Sequence, residues 1–151
     1  MTIENQISDE ERIARMNDKP LEGMEMFMNR VFLTAERGGW HKDETFGDKI
    51  SLMHSELSEA LEEYRDGRAY DEIYYSYKDE HGAKVSTNEM YREVNGEMVM
   101  NKPEGIAVEL ADAIIRIMDW SAWKKSPLLE ALFIKAEYNE TRSYRHGGKV
   151  I

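Results

Sequence analysis

The sequence predicts an all-α fold, a four-helix-bundle-like arrangement with a small β-hairpin inserted between its second and third helices. Three observations carry that expectation. Four segments place apolar residues at helical spacing, Gly-Gly, Gly and Lys-Lys-Ser-Pro punctuate them, and the periodicity lapses only over 68–102.

The first helix opens near Pro20 and carries Met24, Phe27, Met28, Val31, Phe32 and Ala35 before Gly38-Gly39 stops it. Trp40 to Phe46 reads as a loop with an aromatic anchor at each end. The second helix runs from about Asp48 to Asp66, with Ile50, Met53, Leu57, Ala60, Leu61 and Tyr64 as its apolar arc and Gly67 as its end. Over 68–102 Tyr70, Tyr74, Tyr75, Tyr77 and Tyr91 are interleaved with acids, and His81-Gly82 and Asn95-Gly96 signal turns. Asn-Gly suits a tight type I′ turn, so Tyr91 to Met100 is expected to be the hairpin. Pro103-Glu104-Gly105 opens a third helix, Ile106 to Trp123. Lys124-Lys125-Ser126-Pro127 breaks it, and the last helix covers Leu128 to Asn139. The tail, 141–151, is basic and contains Gly147-Gly148, so it is expected to be extended.

With 151 residues, the chain is expected to form a single domain over 1–151, the insertion and tail included. Its net charge of -10 argues against binding a nucleic-acid polymer or an anionic membrane through the overall field. A small anion held by a cation and a local basic cluster stays compatible with it. The absence of cysteine removes disulfides, thiolate metal sites and cysteine nucleophiles. The start, Met1 to Lys19, lacks the apolar stretch of a signal peptide. The most apolar run, 105–121, is interrupted by Glu109, Asp112, Arg116 and Asp119, which disqualifies it as a membrane span and leaves a cytoplasmic location as the default.

The strongest chemical signal is a pair of acidic steps, Glu56/Glu59 and Glu109/Asp112, one on the second helix and one on the third. A three-residue step puts both side chains of a pair on one helix face. An acidic pair of this kind, taken alone, is most often solvent-facing surface. Two of them on helices with large apolar flanks also fit a convergent site of four carboxylates, which only a cation would neutralise. The ion expected there is Mg²⁺, with Mn²⁺ able to substitute, and the ligand a phosphorylated substrate such as a nucleoside triphosphate.

Positive charge gathers at the other end of the chain. Lys135 and Asn139 share a helix face, followed by Arg142, Arg145, His146 and Lys149, all candidates for contacts to phosphate or sugar. A solubilising tail is the competing reading of the same residues. Arg116 lies on the stripe of Glu109 and Asp112 and is expected to pair with them or with Asp119. Any one of Trp40, Trp120, Trp123 and the tyrosines is more readily core or interface packing than a base-stacking platform. His41 and His54 lack partners at zinc-site spacing, and no phosphate-cradling G-x-x-x-x-G-K-[ST] loop occurs.

In three stretches the chain resembles the MazG-like, all-α nucleoside triphosphate pyrophosphohydrolases, and a phage-type member in particular. They are His54 to Glu63, Pro103 to Arg116 and Lys135 to Lys149. The resemblance implies hydrolysis of an NTP or dNTP, dGTP among them, between the α and β phosphates. It implies Glu56, Glu59, Glu109 and Asp112 as catalytic Mg²⁺ ligands, with Lys135 and Asn139 near substrate. It implies a homodimer or a tetramer built from dimers, in the host cytoplasm if phage-encoded. Ser55 departs from the family's pattern, where two adjacent acids are common; either Glu63 compensates or one fewer ligand holds the metals. The long 68–102 insertion is a second departure. A non-catalytic helical module that engages a protein partner through the Tyr-rich insertion is the alternative.

Overall fold

The computed structural model describes residues 19–142. In chain order they form α1 (Lys19–Arg37), α2 (Phe46–Arg65), β1 (Tyr74–Lys78), β2 (Lys84–Thr87), β3 (Tyr91–Val94), β4 (Glu97–Met100), β5 (Lys102–Glu104), α3 (Ile106–Trp123) and α4 (Leu128–Glu140). The fold is therefore mixed, with four helices and five strands in two sheets, and the expectation of an all-α four-helix bundle is corrected. The helices stand within a few residues of where periodicity puts them. What periodicity misses is a three-stranded sheet built from strands of three to five residues.

The described chain gathers into two compact units. One holds Lys42–Ile117, hence α2, both sheets and most of α3; the other holds the chain up to His41 and from Met118 onward.

In the first of these, α2 begins with a reciprocal cap. The Thr45 hydroxyl accepts from the Asp48 backbone N–H at 3.2 Å, and the Asp48 carboxylate accepts the Thr45 backbone N–H at 2.8 Å. The larger sheet has the order β2-β1-β5, with β1 antiparallel to both neighbours. Along β1, Tyr74 and Ser76 are buried while Tyr75 and Tyr77 are half-buried, the period of two that a strand imposes. Pro103 opposes Tyr75 from the edge strand β5, a position that tolerates a missing N–H. The smaller sheet is the hairpin β3–β4, with Tyr91 opposite Met100 and Val94 opposite Glu97. Asn95 and Gly96 turn it with φ of 53° and 85°, the left-handed pair of a type I′ turn.

Two features lock the sheet to the start of α3. Glu104 is buried and accepts from the Ser76 hydroxyl at 2.6 Å and from the Lys84 and Lys102 ammonium groups at 3.0 Å each. Burial alone would raise its carboxyl, but those three donors outweigh it and hold the group below its ordinary range. Gly105 then turns the chain at φ 121°, where an added Cβ would lie 2.6 Å from the Glu72 carbonyl oxygen. Only glycine fits that passage.

Within the other unit, the His41 ring stacks between Phe32 and Trp123, at centroid distances of 5.2 and 4.7 Å. Its Nε2 lies 2.8 Å from the Asp119 carboxylate. Of the partners expected for Arg116, Asp119 thus lies against His41. Among the described residues no helix is long and apolar enough to cross a membrane.

Candidate metal centre

α2 and α3 bring Glu56, Glu109 and Asp112 together, with one carboxylate oxygen from each lying within 4.8 Å of the others. Helical phase explains why acids stand here. Glu56 follows Met53 by three and precedes Ala60 by four, and all three are buried on one face of α2. Glu109 sits in the same relation to Ile106 and Ala113 on α3, and these are buried as well. Both acids therefore occupy apolar-face positions, where an isolated carboxylate is unfavourable. Asp112, one turn beyond Glu109, is half-buried.

The electrostatics follow from this crowding. Burial, reinforced by Glu59, Asp112 and Glu104 and opposed by Lys102, pushes the Glu109 carboxyl up to about 7. Burial and the neighbouring Glu56 also raise Asp112, against the pull of Arg116 and Lys102. Two cations temper the cluster. Arg116 donates from Nε to Oε1 of Glu56 at 2.7 Å, and its Nη2 forms an ion-pair contact with the same oxygen at 2.6 Å. Lys102, held by Glu104, contributes an ammonium charge to the same region.

This donor set fits a hard divalent cation. Oxygens bound to one octahedral Mg²⁺ at about 2.1 Å stand roughly 3–4 Å apart, so modest side-chain closure from the observed spacing suffices. The cluster contains no sulfur or imidazole, the donors that softer metals favour. A buried acidic cluster able to coordinate a divalent metal is therefore present.

The fourth expected ligand, Glu59, is exposed and is not a member of the cluster; the Ser55 hydroxyl approaches it at 3.5 Å. Glu63 is engaged elsewhere: the Tyr74 hydroxyl donates to both its oxygens, at 3.0 and 3.1 Å. With the Arg68 guanidinium 3.9 Å over its ring, Tyr74 is part of the structural frame, and burial with Glu63 raises its hydroxyl to about 12. Lys135 and Asn139 are exposed on α4, the Lys135 ammonium 4.9 Å over the Tyr138 ring, and Arg142 is exposed just beyond. Arg145, His146 and Lys149 lie outside the described residues.

Two partnerships were invisible to sequence spacing, Arg116 with Glu56 across 60 residues and His41 with Asp119 across 78. The apolar neighbours at three and four residues from Glu56 and Glu109 were the available signal that these acids face inward.

Compared with known proteins, the chain matches no family model, no curated protein and no solved structure. The MazG-like resemblance is accordingly corrected, since two small sheets accompany the helices where that family name implies a purely helical bundle. With it falls the expected cleavage of a nucleoside triphosphate, dGTP included, between its α and β phosphates; what the chain carries is an acidic cluster. The alternative of a helical partner-docking module is corrected as to its form: the insertion is largely strand, with Tyr74 buried, Tyr75 and Tyr77 half-buried, and Tyr70 and Tyr91 exposed.

Proposed function

We propose that this protein binds a divalent cation at Glu56, Glu109 and Asp112, and that the ion is Mg²⁺. The observation that carries the reading is the convergence of three carboxylate oxygens from two helices, two of them on buried faces. All-oxygen ligation favours Mg²⁺ over metals that seek nitrogen or sulfur, and Mn²⁺ is its natural substitute. Three protein ligands leave octahedral positions for water and for an oxygen of a bound ligand. An ion held there would polarise that oxygen, the basis for proposing an enzyme of metal-assisted chemistry rather than a purely structural site.

Calorimetric titration of chelator-treated protein with Mg²⁺ tests the reading. Saturable binding by the wild type, strongly weakened in Asp112→Asn, is expected; equal heats in both proteins would remove these residues from the site.

We propose also that two copies of the chain associate. Ile50, Leu57, Leu61 and Tyr64 form an exposed apolar stripe on α2, and Leu110, Ile114 and Ile117 form one on α3. Stripes of this spacing are what a partner helix covers. Both lie on every copy, so a two-fold pairing is self-complementary. Light scattering is expected to return twice the 17.6 kDa chain mass, and Leu57→Glu with Ile114→Glu to return a single mass. A monomeric wild type contradicts this part alone.

A further inference from the structure

We infer that Arg116 is a positioning residue for the cation site, holding one oxygen of Glu56 so that the other is presented to the ion. The inference rests on the proposed ion binding at Glu56, Glu109 and Asp112.

Both guanidinium nitrogens that reach Glu56, Nε and Nη2, converge on a single oxygen, Oε1. Oε2 receives no hydrogen bond from the described residues, so the carboxylate has one committed oxygen and one available. A glutamate has three side-chain torsions, and its rotation would move the available oxygen in and out of reach of Glu109 and Asp112. A charge-assisted hydrogen bond from Nε and an ion-pair contact from Nη2, both to one oxygen, restrict that rotation. Arg116 is itself placed by the fold, since it follows Asp112 by four residues on α3 while its partner stands on α2. One side chain thus ties the helix bearing two of the carboxylates to the helix bearing the third.

Charge is consistent with Arg116 staying in place when an ion binds. Three ionised carboxylates, one guanidinium and one divalent cation sum to zero. Lys102 is less suited to the positioning role, because its ammonium is anchored on Glu104, which lies outside the cluster.

A bystander and a positioning residue predict opposite signs. An arginine that merely sits nearby repels a cation, and its removal tightens ion binding. An arginine that orients a ligand supports binding, and loss of such a partner typically weakens metal affinity by about 10–100-fold. The test is Mn²⁺ titration followed by electron paramagnetic resonance, with the metal alone as probe, on wild type, Arg116→Met, Arg116→Lys and Glu56→Gln. We expect about 10–100-fold weaker binding in Arg116→Met and partial recovery in Arg116→Lys, which keeps the charge but loses the paired donors. In the Glu56→Gln background, Arg116→Met is expected to add little, because both changes act through one carboxylate. Thermal melts in chelator establish that each variant is folded, and Arg116→Lys serves should the methionine variant fail. Unchanged or tighter binding in a folded Arg116 variant, or full additivity with Glu56→Gln, overturns the inference and leaves the ion reading intact. A wild type that binds no Mn²⁺ removes both.

Discussion

Glu109→Gln is expected to stabilise the metal-free protein at alkaline pH, an unusual direction for a change at a buried position. Glu109 is 3% exposed, and its carboxyl is raised from 4.5 to about 7 by burial and by acidic neighbours. The folded state therefore keeps a proton that the unfolded chain releases near 4.5, and stability falls as pH rises between those values. Holding the ionised group above pH 7 costs the fold up to about 3 kcal/mol, from 1.36 kcal/mol for each tenfold change in proton affinity. Glutamine has nearly the same shape and no charge, so it escapes that cost. In urea, with chelator present, the variant's midpoint at pH 8 is expected to exceed the wild type's by up to roughly 1.5 M, for a slope near 2 kcal/mol/M. At pH 4.5 the difference should shrink towards zero, because the wild-type carboxyl is then protonated in the fold. Mg²⁺ at 1,000 times its dissociation constant should reverse the order, since it adds about 4.1 kcal/mol to the protein that binds it. A variant less stable than wild type at both pH values, or a difference that does not change with pH, would refute the reasoning about Glu109.

Gly105→Ala should destabilise the fold by about 3 kcal/mol or more and weaken ion binding, because the new Cβ meets the Glu72 carbonyl where β5 hands over to α3; an unchanged melting temperature would contradict the close approach. Tyr74→Phe should cost about 1–2 kcal/mol through its lost bonds to Glu63. It should also abolish a tyrosine transition near pH 12 in ultraviolet titration, and persistence of that transition would reassign it. Thr45→Ala should lower stability by about 1 kcal/mol through loss of the cap on α2, measured by urea denaturation, and a neutral outcome would mean that the cap contributes little.

The helices were legible because each repeats its apolar residues over several turns, a signal that survives local exceptions. The β3–β4 turn was legible for a different reason, the backbone demand that Asn95-Gly96 satisfies. The sheet β2-β1-β5 was not. Its strands run three to five residues, too short for a period of two to stand out, and β5 contains a proline whose edge position only the pairing reveals. Of the acids, Glu56, Glu109 and Asp112 converge as their spacing allows, whereas Glu59 is exposed although it shares the Glu56 step. Three residues rotate a helix by about 300°, so members of such a pair are offset by roughly 60° and one can face inward while the other meets water. Arg116 was visible as a charge on the right stripe, but its true partner belongs to another helix, a relation that requires tertiary placement.

Anomalous diffraction from crystals soaked in Mn²⁺ tests the cation centre most directly. The expected result is a single strong peak about 2.2 Å from one oxygen each of Glu56, Glu109 and Asp112, with the Arg116 bond to Glu56 retained. Fully occupied Mn²⁺ peaks elsewhere, with those three carboxylates carrying none, would contradict it.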